Sequence, residues 1–400
     1  MPASPGLSAD ERRRRLAARH RLAASRRATT VEDAVRAVAF LHATDSSSVY
    51  LAAWARMRTP SLEAVDEALY LRRSLLRMLA MRRTVFVVPV EDAPIVQAAA
   101  STPVARVERR HTQALVAQLG VGDADAWLRH AEEAALAELE RSGEATAQEL
   151  AREVPMLAQR ARLFPGRRVE GDVSMASRVL LTLGVEGRVV RGRPRGSWLS
   201  SQYRWTTTVR WLGHALDAIP VPVARRELVC RYLARFGPAT EADIRWWTGW
   251  PARDARAALA AAGALRVSVA DAGEAYVLSD DLDATPEPDP WVALLPALDP
   301  TTMGWKGRDW YLGQHNAALF DTAGNAGPTV WLNGRIVGGW AVLPSGEVVT
   351  RLLDDIGREA AAAVSAEASR LTALLKSTGS VPRFTTPLAR ELVSGAPDRA

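Results

Sequence analysis

His42-Ala43-Thr44-Asp45 sets an imidazole, a hydroxyl and a carboxylate within four residues. An imidazole titrates near neutral pH and can take a proton from a water or orient it. A threonine hydroxyl can hold that water. A carboxylate can fix the tautomer of the histidine. The same residues have a plainer use. Thr44, Asp45 and Ser46 are good helix caps, and a single histidine at a helix end is usually structural. Residue types alone leave both readings open.

Two apolar segments must position this polar break. Val31, Val35, Val38 and Leu41 recur at helical spacing before it. Val49, Leu51, Ala52 and Trp54 resume an apolar face after it. Ser46, Ser47 or Ser48 can cap the second helix, which puts the break at a helix start, where backbone N–H groups favour anions. A turn at Thr59-Pro60, a helix over 61–80 and a β-rich run from Thr84 to Val88, closed by Pro89, follow. Three helices and then a strand is the order of a winged-helix unit.

The order recurs. An amphipathic helix over 127–141, a turn and second helix in the stretch from Gly143, and a third helix near Met175 to Gly184 lead into a hairpin. Its predicted tip is Gly192-Arg193-Pro194-Arg195-Gly196. Residues 225–280 repeat the plan, with a third helix ending at Gly263 and a hairpin turning at Asp271, Ala272 and Gly273. Gly143-Glu-Ala-Thr146-Ala-Gln-Glu-Leu150 lines up with Gly237-Pro-Ala-Thr240-Glu-Ala-Asp-Ile244. In both, threonine can cap the second helix, with an acid or glutamine in its first turn. Such helix-turn-helix units usually bind DNA and sometimes serve as dimer modules. After a Pro/acid linker from Thr285 to Pro290, apolar β-like runs alternate with turns; Asn333-Gly334 and Ser345-Gly346 are hairpin signals. A helix over Asp355 to Lys376 follows.

A length of 400 residues implies two to four domains, and 48% hydrophobic with 24% charged residues is a folded, soluble composition. No apolar run is long enough for a membrane span, and the start lacks the apolar stretch of a secretory signal. One cysteine, Cys230, excludes an internal disulfide and a cysteine-built metal site. A reduced, cytoplasmic, nucleoid-associated setting is expected. The net charge of +6 is almost all arginine; lysine occurs only at 306 and 376. Arginines gather at 12–15, at 106, 109 and 110, at 160–168 and at 188–195. Arginine suits bidentate phosphate contacts and base stacking, although a GC-rich genome also enriches it. There is no phosphate-binding lysine loop, no HExxH, no paired cysteines and no GxSxG, so metal, nucleotide and α/β-hydrolase chemistry lacks support.

Five stretches taken in order resemble one family. They are the His42–Asp45 break, Met81-Arg82-Arg83-Thr84-Val85-Phe86-Val87-Val88-Pro89, Leu295-Pro296-Ala297-Leu298-Asp299, Arg308-Asp309 and Gly334-Arg335-Ile336-Val337-Gly338-Gly339-Trp340. From residue 30 to residue 385 the chain resembles the winged-helix DNA glycosylases of the AlkZ/YcaQ-like family. The resemblance implies tandem winged helices and a β-rich C-terminal part around a concave DNA-binding face. It implies a catalytic centre at His42-Ala43-Thr44, where family members carry Gln-apolar-Gln or Gln-apolar-Asp, with Asp45 next in line. Both glutamines are replaced, and Phe86 stands where the family often has histidine.

The expected substrate chemistry follows. N7-alkylguanine and N3-alkyladenine are cationic and leave readily, so an enzyme need only hold a water and stabilise an oxocarbenium-like sugar. The base is flipped, as is common for enzymes acting on bases, or a bulky adduct is met in an open cleft. A glycosylase/lyase usually needs an amine for a Schiff base. Both lysines lie far in sequence from the break, which favours a monofunctional hydrolase unless Lys306 folds back.

The expectations are therefore these. The fold is α+β, with tandem winged-helix domains and a C-terminal β-rich segment forming a partial barrel. Residues 1–28 are a short helix or a solvated basic arm; 29–120, 121–215 and 216–284 are winged-helix units; 291–385 is the β-rich domain. His42, Thr44 and Asp45 are catalytic candidates; Arg191, Arg193, Arg195, Arg82, Arg83 and Arg308 are DNA-contact candidates. Trp246, Trp247 and Trp250 read as core rather than stacking platforms, and Asp299 with Arg308 reads as an ion pair near the cleft or a structural one. The substrate is double-stranded DNA with alkylated purines, bulky N7-guanine adducts of a genotoxic metabolite in particular. The protein acts as a monomer, without cofactor, metal or membrane. The competing readings are a non-catalytic DNA-binding regulator or lesion shield, and a winged-helix assembly that never touches DNA.

Overall fold

The structure is a computed structural model that describes residues 6–163, 170–378, 382 and 386–395. Arg167 and Arg168 of one arginine-rich stretch lie outside the described residues. The chain divides into two compact units: residues up to Val65 together with those from Arg226 onward, and the continuous stretch Asp66–Arg225.

In the first unit the N-terminal stretch is not a solvated arm. Gly6–Leu7 pairs in parallel with Leu265–Val269, itself paired antiparallel with Gly273–Val277. Ser8 caps the helix Ala9–Arg19, which buries Arg12, Arg15 and Leu16. Arg15 donates to Glu11 at 2.7 Å and to Asp281 at 3.0 Å, so the basic run is consumed by internal ion pairs. The helices Val31–Arg36 and Ser46–Arg56 form as the apolar spacing predicts. Farther along, Val221–Phe236, Glu241–Thr248 and Ala252–Ala261 form the third helical set.

The C-terminal part is an open sheet and not a partial barrel. Val292–Leu295, Thr329–Leu332, Arg335–Val342 and Val348–Leu352 pair antiparallel in that order, and the first and last do not meet. Asn333 and Gly334, with φ of 48° and 83°, make the tight two-residue hairpin that Asn-Gly favours. A Cβ on Gly339 would lie 2.5 Å from Leu388 and 2.8 Å from Leu319, so glycine lets the helix Pro387–Ser394 seat against the strand. The helix Gly357–Thr378 packs against the strands Val292–Leu295 and Val348–Leu352. A chain of touching rings from Tyr232 and Phe236 through Trp305, Trp310 and Tyr311 to Trp331 joins the third helical set to this sheet. Trp247 and Trp250 are buried, as the core reading expects.

The second unit departs from the predicted elements near its start. The helix expected over 61–80 ends at Leu71, after a π-helical turn Glu67–Leu71, and Leu75–Leu79 is a strand paired with Val85–Pro89. All five of its residues are buried, and a continuous apolar run carries no period to tell strand from helix. Arg73, at φ 55°, turns the chain between the two. Helices Thr102–Ala117, Ala124–Ser142, Ala147–Glu153 and Met175–Val185 surround a core that includes Leu128, Leu139, Leu150, Leu180 and Leu183.

The internal echo is structural. Thr146 and Thr240 both make complete capping boxes, with Glu149 and Asp243, three residues on in the first turn, as their partners. Each lies beside an isolated bridge to the following hairpin, Ala145 to Trp205 and Ala239 to Tyr276. The second unit's hairpin is formed by Val189–Pro194 and Tyr203–Thr207. Most of the predicted Gly-Arg-Pro-Arg-Gly tip is thus strand, and the chain turns later, between Arg195 and Gln202, which share a hydrogen bond.

Candidate active site

Leu41–His42 is a short strand, and the chain bends at Thr44 and Asp45 ahead of the Ser46–Arg56 helix. Leu41 and Ala43 are buried, His42 and Asp45 are half-buried and Thr44 is exposed. Burial alternates through this segment, with Ala43 turned inward between His42 and Thr44. A polar-apolar-polar triplet does this wherever its apolar member has a core to enter.

Asp45, and not a serine, is the helix cap. Its Oδ1 accepts hydrogen bonds from the Ser47 backbone N–H and the Ser47 hydroxyl, both at 2.8 Å. Neither bond uses Oδ2. The capping reading of Asp45 is therefore correct, and it leaves one carboxylate oxygen over. Ser48 Oγ donates to the Ala297 carbonyl at 2.7 Å, so the helix's first turn is tied to the Leu295–Asp299 motif.

The far end of the helix is tied to the same motif. Arg56 makes a two-pronged pair with Asp299, at 2.8 and 2.7 Å, with both side chains fully buried. Asp299 Oδ1 also caps the next helical turn by accepting from the Thr301 N–H at 2.9 Å. Arg56 donates to Thr301 Oγ1 at 2.7 Å, and that hydroxyl meets His20 Nδ1 at 2.8 Å. His20 Nε2 faces the Arg235 carbonyl at 3.1 Å. A carbonyl only accepts, so Nε2 carries the proton and Nδ1 accepts from Thr301. Burial, with the Arg56 charge alongside, holds His20 well below the ordinary imidazole range. The sequence reading missed this network. Its one signal was the arginine at the end of an otherwise apolar helix, a position that needs a buried acid elsewhere.

The Asp299–Arg308 pair does not form. Asp299 is taken by Arg56, whereas Arg308 donates Nε to the Trp305 carbonyl at 3.0 Å and lies 4.9 and 4.8 Å from the Trp246 and Phe320 ring centres. The hairpin arginines are also engaged. Arg191 lies 4.8 Å over Trp205 and 5.8 Å over Tyr203, and burial, with Arg77 nearby, lowers it to about 10. It stays charged at neutral pH. Arg193 pairs with Asp66 and covers Tyr70, and Arg195 lies 3.6 Å from Glu149. Arg82 and Arg83 form a left-handed turn, with φ of 53° and 63°, and Arg83 pairs with Glu108. The Lys306 side chain is exposed; its backbone N–H donates to Asp243 at 2.8 Å. Among the described residues no cluster of three or more His, Cys, Asp or Glu is assembled that could hold a metal ion.

The fold is that of a solved DNA glycosylase. The chain is similar to Streptomyces sahachiroi DNA glycosylase AlkZ, with 23% identity and a TM-score of 0.69 over 94% of this chain and 98% of that one. No match was found among curated proteins. A family model described as DNA glycosylase AlkZ-like matches residues 35–374, and the chain belongs to that family.

Proposed function

We propose that the protein hydrolyses the N-glycosidic bond of cationic alkylated purines in duplex DNA, bulky N7-alkylguanine adducts above all, and leaves an abasic site without cutting the strand. The proposal extends to tandem winged helices as the DNA-binding frame and to self-protection against a genotoxic metabolite. The observation that carries the reading is family membership across residues 35–374, together with the His42–Asp45 segment at the start of a doubly tethered helix. A cationic base leaves without strong acid assistance. His42 then takes the proton of the attacking water or orients it, Thr44 holds that water, and Asp45 Oδ2 faces the developing oxocarbenium while Oδ1 keeps the cap. Arg82, Arg83 and Arg308 are proposed phosphate contacts, as are Arg191, Arg193 and Arg195 where they exchange their internal partners for phosphate.

The test is the rate of free-base release from duplex carrying a defined N7-alkylguanine, read above spontaneous depurination. Acceleration by the wild type that drops by roughly 100-fold in His42→Ala is expected for a general base. No acceleration with any of several adducts, while DNA binding persists, would move the assignment to a non-catalytic lesion-binding protein. One observation favours that second reading: both polar positions of the family's glutamine motif are substituted here, by His42 and Thr44.

A further inference from the structure

The hairpin arginines each have an internal partner, which raises the question of where the second unit carries unspent positive charge. The helix Thr102–Ala117 answers it. Its only acid is Glu108, which is buried. Two arginines converge on that carboxylate, Arg83 as an ion pair and Arg178 at 3.1 Å, and the His111 ring lies 3.9 Å from it. One negative charge is thus more than matched. Arg83 and His111 remain about half exposed, at 51% and 52%.

Arg106 and Arg110 are exposed, and neither makes an ion pair or hydrogen bond among the described residues. Being four apart, they share one helix face. Arg109 points elsewhere, to Glu132 at 2.8 Å and Glu186 at 2.7 Å. The helix therefore sorts its three central arginines: one cements the fold and two stand free.

We infer that Arg106 and Arg110 form the duplex-backbone contact of this unit in preference to the hairpin arginines. The inference deepens the DNA-glycosylase reading and rests on it. Two free guanidiniums on a helix face with no exposed acid suit paired phosphate oxygens and carry no base specificity. At the hairpin, by contrast, Arg193 and Arg195 must each leave an acid before they can meet a phosphate.

The test uses undamaged duplex, so that it does not depend on catalysis. Affinity is measured across a salt series for wild type, Arg106→Ala/Arg110→Ala and Arg193→Ala/Arg195→Ala. Each lost phosphate contact lowers the slope of log K against log salt by about 0.9, so the helix variant should lose about 2 and the hairpin variant less than half of that. Unchanged melting temperatures show that both variants are folded. A helix variant that keeps the wild-type slope overturns the inference and leaves the glycosylase reading standing. A wild type with no salt-dependent duplex binding overturns both. Arginine-dependent binding to anionic phospholipid vesicles, without duplex binding, assigns the face to a membrane surface and also overturns it.

Discussion

Burial and the Arg56 charge set the protonation state of His20, and this has a consequence in acid. The folded ring is held neutral by burial and by Arg56, so its folded pKa is depressed, whereas the unfolded ring titrates near 6.5. Below that pH the unfolded chain binds a proton that the folded chain refuses. Stability is thus complete above the unfolded pKa and falls as pH drops through about 6.5, by about 1.4 kcal/mol per pH unit. Denaturant midpoints at pH 7.5 and pH 5.5 (two values well either side of it) should show this loss, and His20→Gln should flatten it. Asp45 offers a second residue-scale test. Asparagine caps helices about as well as aspartate, so Asp45→Asn should change stability by less than about 0.5 kcal/mol. If Oδ2 serves the sugar cation, the same variant loses base-release rate by about 10-fold or more. A variant as active as wild type would reduce Asp45 to a cap.

The Ser46–Arg56 helix shows what an element contributes. It is held to the Leu295–Asp299 motif at Ser48 and again at Arg56, so its N-terminal turn cannot slide. Asp299→Ala leaves a buried guanidinium unpaired and should destabilise by about 3–5 kcal/mol, read from the denaturation midpoint. Ser48→Ala removes one hydrogen bond worth about 1 kcal/mol and should depress base release more than that stability change explains. This helix was readable in the sequence because its flanking residues alternate between apolar and capping types. The two capping boxes were readable for the same reason: threonine and an acid three residues on are a local signal. The strand Leu75–Leu79 was not readable, since its uniform apolar run has no period. Nor were the Arg56–Asp299 pair or the Arg191 stacking, because a sequence does not state which distant partner an arginine meets. The Asn333-Gly334 hairpin was legible, but the closure of its sheet was not: an open sheet and a partial barrel share the same strand pattern.

At the scale of the whole molecule, two compact units make single-step unfolding unexpected. Calorimetry should give a van 't Hoff enthalpy below the calorimetric one, and equality of the two would show that the units unfold together. The division also has a temporal side. The first unit is assembled from two pieces of chain, and the second is the uninterrupted stretch Asp66–Arg225 between them. On a ribosome adding about 5–20 residues per second, the first piece waits on the order of ten seconds for its complement. Throughout that delay Arg56 has no Asp299, and the Ala9–Arg19 segment has no Asp281. The intervening stretch meanwhile has all of its own core and can fold first. The helix that the candidate catalytic residues lead into is therefore among the last parts of the newborn chain to become fixed, although it is among the first to be made.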